Sequence, residues 1–354
     1  MPLSRDDVAR TYKALLGLDA GEDAINHWTK QHDDFWEFLE NFRNTPAVAW
    51  SLSKEAHYPA ALSFQDFMFC RSHTVPVRPE PGFIISEFGI RTRTNYAEKW
   101  ASKDGTLARL EFGSCFEFDA IEWFALLKAI ERADHRFSVA ELGCGWGPWM
   151  TAGSVLARRK GKKEISSIGV EGDETRRSFI DQHRADNSIS DIPRTVFAGV
   201  VAPKSGTALF PKPDDSTKDM GIAAIYSDQQ AGVIKDYRGA DHKHISYEAF
   251  SVEDILENTD RVDFMHIDIQ GGELDVVPAA ANIISKKCRH LLIATHSREI
   301  EWKVAAALMP HGWILEKERP CEMHYGDDWA RSGRDWPLVK RDGSQFWRHP
   351  DVLP

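Results

Sequence analysis

The run Glu141-Leu142-Gly143-Cys144-Gly145-Trp146-Gly147 follows an apolar stretch and precedes one of helical character. A buried strand would deliver the chain into a turn with three glycines. Glycine turns tightly and lets a ligand come close to the backbone. In open α/β sheets such loops at strand ends form the ligand crevice. A second apolar run, ISSIGV, ends at Glu171 within GVEGD. A carboxylate there can accept hydrogen bonds from both hydroxyls of a ribose. Together the loop and the acid point to a ligand that carries a nucleoside. Cys144 reads as a small residue in a tight turn, not as a nucleophile.

The spacing of the glycines decides which nucleoside ligand to expect. The dinucleotide fingerprint GxGxxG would need glycine at 148, where the chain has Pro148. The pattern here is GxGxG preceded by Glu141, which resembles motif I of class I S-adenosylmethionine-dependent methyltransferases. A NAD-linked oxidoreductase stays as an alternative that Pro148 disfavours.

A second constellation lies further along. VDFMHIDIQGGELDVV places His266 and Asp268 at the end of a strand, with Gln270, Gly271 and Gly272 in the turn and Glu273 at the next helix start. Their i, i+2 spacing would point His266 and Asp268 to one side of a regular strand. The next strand ends in Ala294-Thr295-His296-Ser297. If the two strand ends are neighbours, two histidines and two carboxylates converge. Three readings stay open. His266 or His296 could act as general base on a hydroxyl. Asp268, with Glu273, His296 or His266, could hold a divalent metal that lowers the hydroxyl's pKa. The residues could instead cap the helices that follow.

The elements needed to position these groups are visible. From residue 137, apolar strands alternate with amphipathic helices: 146–161, 174–187 and 271–287 read as helices, with Pro148 in the first turn of one. Seven strands are expected, including RTVFAGVVAP as the third and GSQFWRHPD as the seventh, and Ser251 is expected to cap a short helix. The βα alternation predicts a Rossmann-like, doubly wound, mainly parallel α/β sheet. Residues 205–247 break the alternation and read as a long polar loop. Upstream, 1–72 reads as a small helical domain, with two helices broken near Gln31–Asp33. Residues 73–117 read as a linker and extended or hairpin arm, and 118–354 as the Rossmann-like domain. Within the arm and the helix after it, Arg91, Thr92, Arg93 and Tyr96, with the 205–247 insertion, could cover an acceptor. Arg91 and Arg93 could equally be solvated, and Trp123, beside Glu122, reads as core.

Composition removes whole classes of function. The chain has 354 residues, 42% hydrophobic and 28% charged, which is ordinary globular composition, not that of a disordered or fibrous protein. The net charge of −10 argues against a broad nucleic-acid footprint. Five scattered cysteines without a CxxC pair suit reduced thiols in a cytoplasm. No signal peptide or membrane-spanning run is expected. Twelve tryptophans give ample buried area, and some indoles could face sugars.

ELGCGWGPW, GVEGD, VDFMHIDIQGGELDVV, LLIATHS and the tail DGSQFWRHP together resemble the bacterial FkbM-type methyltransferases, over residues 118–350. The resemblance implies a Rossmann-like sheet, S-adenosylmethionine as cofactor, and O-methylation of hydroxyls on sugars, glycans or natural products. It implies that Gly143, Gly145 and Gly147, with Trp146 and Glu141 in the same loop, lie along the methionine side of the donor, and that Glu171 holds the ribose. Asp268 and Glu273 match its D-x-x-G-x-E pattern, so Asp268 also borders the donor. Gln270 stands where glutamate is common, and His266 where lysine is common. Some similar enzymes bind a metal after the fourth and fifth strands, where this chain has Asp268, Glu273 and His296. The first helical segment resembles a short domain that accompanies bacterial glycan-modifying proteins.

These expectations combine into one mechanism: methyl transfer to a hydroxyl, with His266 or His296 taking the proton and Asp268 orienting the base or acceptor. The expected partner is a sugar, glycan or small-molecule hydroxyl acceptor, with the helical domain as a homo-oligomer surface. A non-catalytic glycan-binding protein with a vestigial donor fold is the alternative from another class.

Overall fold

The structure, a computed structural model, describes residues 2–16, 19–45, 48, 61–110, 120–211, 215–218, 224, 233–235, 241–324 and 339–353. The chain divides into two compact units, 1–73 with 109–124, and 74–108 with 125–354.

The first unit is helical. Helices α1 (Arg5–Leu16), α2 (Glu22–Gln31) and α3 (Phe35–Arg43) enclose Val8, Ile25, Trp28, Phe35, Phe38 and Phe42. The break between α2 and α3 falls where the sequence places it, because Asp34 accepts hydrogen bonds from the Trp36 and Glu37 amides and starts a new helix. A fourth helix, α4 (Phe64–Arg71), begins with a reciprocal capping box between Ser63 and Asp66.

The second unit opens with the arm. Strands β1 (Phe83–Ser86) and β2 (Arg91–Arg93) form the expected hairpin, and β3 (Thr106–Ala108) adds in parallel to β1. After helix α5 (Ala120–Arg132), which runs across the boundary between the units, comes the alternating core. Its elements are β4 (Arg136–Leu142), α6 (Pro148–Arg159), β5 (Glu164–Val170), α7 (Glu174–Asp186) and β6 (Arg194–Phe197). Later come α8 (Val252–Ile255), β11 (Phe264–Ile267), α9 (Glu273–Lys287), β12 (His290–Thr295), α10 (Arg298–Leu308), β13 (Ile314–Arg319) and β16 (Gly343–Arg348). The sheet order is β13-β16-β12-β11-β4-β5-β6, parallel except for β16. Strands β11 and β12 are buried along their whole length, as central parallel strands covered on both faces must be. The chain leaves β4 toward β5 on one side and returns as β11 on the other, so the topological switch point lies between β4 and β11. Pro148 occupies the first turn of α6, and Ser251 caps α8.

Two expectations fail. The third strand does not run through 194–203. It splits into β6 and the short β7 (Val200–Val201), which leaves the main sheet and pairs with β10 (Asp241–Phe250). The cause is Gly199, where a Cβ would sit 2.2 Å from the Glu248 carbonyl oxygen, so the chain crosses directly against β10. Nor is 205–247 a plain loop. Strands β8 (Gly206–Pro211), β9 (Val233–Lys235) and β10 form antiparallel pairs, and Val200, Ala202, Ala208 and Ala249 bury a small core of their own. Residues 212–214, 219–223, 225–232 and 236–240 of that insertion, and 111–117 of the arm, lie outside the described residues. Between β13 and β16, β14 (Glu322–Met323) and β15 (Val339–Arg341) form a separate pair. No helix among the described residues is long and apolar enough to cross a membrane.

The arm docks on α7, and the arginines are engaged rather than solvated. Arg93 makes a bidentate pair with Asp186, at 2.7 and 2.9 Å. Arg91 pairs with Glu80, and its backbone exchanges hydrogen bonds with the Asn187 side chain. Tyr96 stacks on Phe179 with ring centroids 4.7 Å apart. Arg93→Ala should therefore cost about 1 kcal/mol, as a part-exposed ion pair does. It should also raise protease cleavage within 82–108, with stability read by urea unfolding. Unchanged proteolysis would show that the Asn187 hydrogen bonds and the aromatic stack hold the arm without the Arg93 pair.

Candidate active site

The loop after β4 is pinned to the end of β11. The Asp268 amide donates to the Leu142 carbonyl at 3.1 Å. Gly143 has φ +78, and a Cβ there would lie 2.1 Å from the Asp268 carbonyl oxygen. Only glycine fits this approach. On the other side, the Gly143 and Cys144 amides donate to the Val170 carbonyl at the end of β5. Cys144 is buried, and burial, then the charges of Glu141 and Glu171, push its thiol well above its ordinary pKa. A thiol so held is a packing group.

The two acids flanking the loop do different work. Glu141 is buried and accepts from the Met150 and Trp149 amides, at 2.8 and 3.3 Å, which fixes the start of α6. Burial raises its pKa to about 8 against the pull of those amides. Glu171 accepts from the Gly145 amide and from the Asp173 amide, both at 2.8 Å. A carboxylate has about four acceptor sites, so Glu171 keeps capacity for two ribose hydroxyls. Burial raises its pKa as well, while Arg176 draws it back.

The second constellation comes together in part. Asp268, Glu273 and His296 converge, with one ligand atom of each within 4.8 Å of the others. His296 Nε2 lies 3.4 Å from Asp268 Oδ1, and its Nδ1 lies 3.2 Å from Glu273 Oε2. Burial works against a charged ring here, but the flanking Glu273 and Asp268 carboxylates prevail and hold the pKa well above the usual value. The two carboxylates thus favour the protonated ring of His296, the form with no capacity for a further proton. Glu273 also accepts from the Ile269 and Gly271 amides, at 2.6 and 2.8 Å, and so shapes the turn after β11. Gln270, at φ +57, folds its amide back onto Asp268 Oδ1 at 2.6 Å. Burial opposes the charge of Asp268, yet His296 and Gln270 keep its pKa below the ordinary value.

His266 stands apart from that triad. It is buried beside Trp149, and neither ring nitrogen has a hydrogen-bond partner. Its Nδ1 lies 4.0 Å from Glu141 Oε1, too far for a hydrogen bond. Burial lowers its pKa to about 4 against the opposing charge of Asp268, so the ring is neutral at neutral pH. Trp100 and Asp173 stand against the loop and Glu171, and the sequence reading overlooks both. Asp173 caps α7 and binds the Ser216 hydroxyl, and an acid just before a helix was a readable cap signal. Trp100 contacts Trp146 across the fold, and nothing local marks it.

His266 and Glu141 carry opposite pH signs. The folded pKa of His266, about 4, is below its unfolded 6.5, so the unfolded chain binds the proton first as pH falls. Stability present above pH 6.5 should be lost down to about pH 4, by at most about 3 kcal/mol. Glu141 does the reverse, and its folded pKa of about 8 makes stability fall as pH rises from 4.5 to 8. His266→Gln should therefore remove the acid-side loss. Urea unfolding of both proteins at pH 7 and 4.5 checks this, and an unchanged difference between the two pH values would refute it. Separately, Gly143→Ala should destabilise by several kcal/mol, since backbone must move at a positive-φ position.

The region 137–316 matches the family model described as the methyltransferase FkbM domain. A protein of Jannaschia sp. (strain CCS1), named provisionally a methyltransferase, is 30% identical over 275 residues, covering 77% of this chain and 94% of its own. The crystal structure of methyltransferase FkbM from Methylobacillus flagellatus KT is 14% identical and has a TM-score of 0.35. That match covers 64% of this chain and 54% of the other. The SAM-dependent methyltransferase from Agrobacterium tumefaciens is 10% identical over 68% of this chain and 65% of its own, with a TM-score of 0.36. Both structural likenesses are remote. The domain match and the Jannaschia relative, together with the seven-stranded sheet, make this chain a member of the FkbM methyltransferase family.

Proposed function

We propose that the chain is an S-adenosylmethionine-dependent O-methyltransferase acting on a hydroxyl of a sugar, glycan or related natural product. The observation that carries the donor assignment is Glu171, a buried carboxylate at the end of β5 tied to the Gly145 amide beside the switch point. That is the position from which an acid can grip a ribose while the glycine loop lies along the rest of the donor. Glu141, Gly143, Trp146 and Gly147 build the loop, and Asp268 borders it. The hydroxyl acceptor is supported by His266, neutral and unpartnered beside that loop. The sugar class is supported by the family resemblance and by the tryptophan content. The buried free cysteines Cys70, Cys144, Cys288 and Cys321 suit a cytoplasmic setting.

In this reading the acceptor oxygen attacks the methyl carbon. The carbon–sulfur bond breaks, its electron pair stays on sulfur, and the hydroxyl proton passes to His266. His296, already protonated, holds Asp268, and Asp268 orients the acceptor or the receiving ring. The donor is activated before it binds, so placing the two reactants in line supplies much of the acceleration.

A second reading assigns Asp268, Glu273 and His296 to a divalent cation, favoured by their convergence. Against it, the two imidazole nitrogens face different carboxylates, and both Glu273 oxygens already accept backbone amides. Among the described residues the triad is satisfied as a paired imidazolium.

Calorimetric titration with S-adenosylhomocysteine, before and after chelator treatment, tests the donor and the metal together. One-site binding insensitive to chelator is expected, and Glu171→Ala should weaken it about 10-fold or more. His266→Ala should keep that affinity and lose about 10²–10⁴ in turnover on a sugar acceptor. Full turnover in His266→Ala would remove the base assignment, and no binding by the wild-type chain would favour the vestigial glycan-binding alternative.

A further inference from the structure

Glu141 and His266 face each other on neighbouring strands. They are register partners where β4 runs parallel to β11, so both side chains leave the sheet on one face. The hydrogen bond from the Asp268 amide to the Leu142 carbonyl ties the strands just beyond them and fixes their spacing. His266 Nδ1 lies 4.0 Å from Glu141 Oε1, the oxygen that takes the longer of the two amide bonds, 3.3 Å from the Trp149 amide. Neither nitrogen of the buried ring has a hydrogen-bond partner. Buried polar atoms of this kind call for a partner. A small rotation of the ring brings Nδ1 to the carboxyl, and Nε2 is left to meet a ligand.

The surroundings decide where a proton on this pair rests. The charges that act on Glu141 are carboxylates, Asp268 at the end of β11 and Glu171 at the end of β5, while the Cys144 thiol of the loop stays protonated. Burial, joined by those two charges, holds the Glu141 pKa at about 8 against the pull of the Met150 and Trp149 amides. His266 stands against the Trp149 ring, and burial keeps its pKa at about 4 although Asp268 pulls the other way. In an ordinary carboxylate–histidine pair the imidazole is the stronger base and keeps the proton. Here the order is inverted, and a proton received by the ring is more stable on the acid.

We propose that Glu141 holds the proton released by methyl transfer: His266 Nε2 receives it from the acceptor hydroxyl while Nδ1 passes its own to Glu141 Oε1. The inference rests on the reading of His266 as the base. The acceptor O–H bond breaks and Nε2–H forms, and Nδ1–H breaks and Oε1–H forms. The methyl carbon joins oxygen, and the electron pair of the carbon–sulfur bond stays on sulfur. The ring ends neutral in its other tautomer, so no unpaired imidazolium is left buried. Glu141 acts through His266 and touches no substrate. The 4.0 Å gap closes as Nε2 gains its proton, because the charged ring is drawn to the carboxylate. The step starts from ionised Glu141, which ties turnover to the titration of that acid.

The first test needs no ligand. In the wild-type chain with 15N-labelled histidine, the His266 nitrogens are assigned by their loss in His266→Gln. They should show a step with its midpoint at about pH 8, as Glu141 ionises and draws the Nδ1 proton. Glu141→Gln should abolish that step. With methyl glycosides as acceptor probes, kcat of the wild type should exceed that of Glu141→Gln by about 10²-fold at about pH 9. The ratio should shrink toward one by about pH 6, where the wild-type acid is already protonated. A carboxyl that only fixes the start of α6 would give the same ratio at both pH values. No step in the wild type between about pH 6.5 and 9.5, a step that survives in Glu141→Gln, or a ratio independent of pH would overturn the proposal. Full turnover in His266→Ala would instead remove the base reading beneath it.

Discussion

The site depends on one close approach. Gly143 and the Asp268 carbonyl meet where the chain leaves β4 and β11, and nothing larger than hydrogen fits between them. That contact sets how far apart the glycine loop and the acidic turn can stand. It is backed by the hydrogen bond from the Asp268 amide to Leu142 and by the two amides of the loop that reach Val170. Three parallel strands are therefore joined at their ends as well as along their ladders. A donor bound along the loop and a group acting from Asp268 are held in fixed relation before any ligand arrives.

Around that frame the titratable groups separate by environment. Glu141 and His266 are both buried and both pushed toward neutrality. Half-buried Asp268 and buried His296 instead face opposite charges across a short gap, and there the pairing shifts both toward their charged forms, with Glu273 on the other side of the ring. The site thus keeps one uncharged imidazole and one charged imidazole on neighbouring strands. They cannot exchange roles, since the first has proton capacity and the second has already used its own. Carboxylates pulled in different directions by burial and by partners are how a fold assigns distinct duties to similar side chains.

Much of this is legible in the sequence. The parallel core announces itself as apolar runs that end in glycine or acid, and the GxGxG spacing and Glu171 mark the switch-point end of the sheet. Asp268, Glu273 and His296 are readable as a cluster because neighbouring strand ends in a doubly wound sheet must converge. The sequence could not say which histidine joins them. That depends on where each ring stands relative to two carboxylates, a matter of ångströms that residue spacing does not encode. The insertion was opaque for a different reason. Its strands pair antiparallel with one another, so polar residues facing solvent mask the alternation, and only Gly199 hints that the third strand must end early. Arg91 and Arg93 were ambiguous because their partners, Glu80 and Asp186, lie in segments whose docking is purely tertiary.

The arm shows how a segment outside the sheet becomes part of the site. Its hairpin is anchored on α7 by Arg93 and by Tyr96 on Phe179, at the helix that Asp173 starts. The Asp173 amide in turn donates to Glu171, so the helix that carries the arm also starts beside that acid. Any motion that lifts the arm must break the Arg93 pair, the aromatic stack and the Trp100 contact in one step, because all three lie on a short stretch of chain. Docking of the arm and the placement of Trp100 on Trp146 are then coupled, so whatever stabilises one stabilises the other to the same degree.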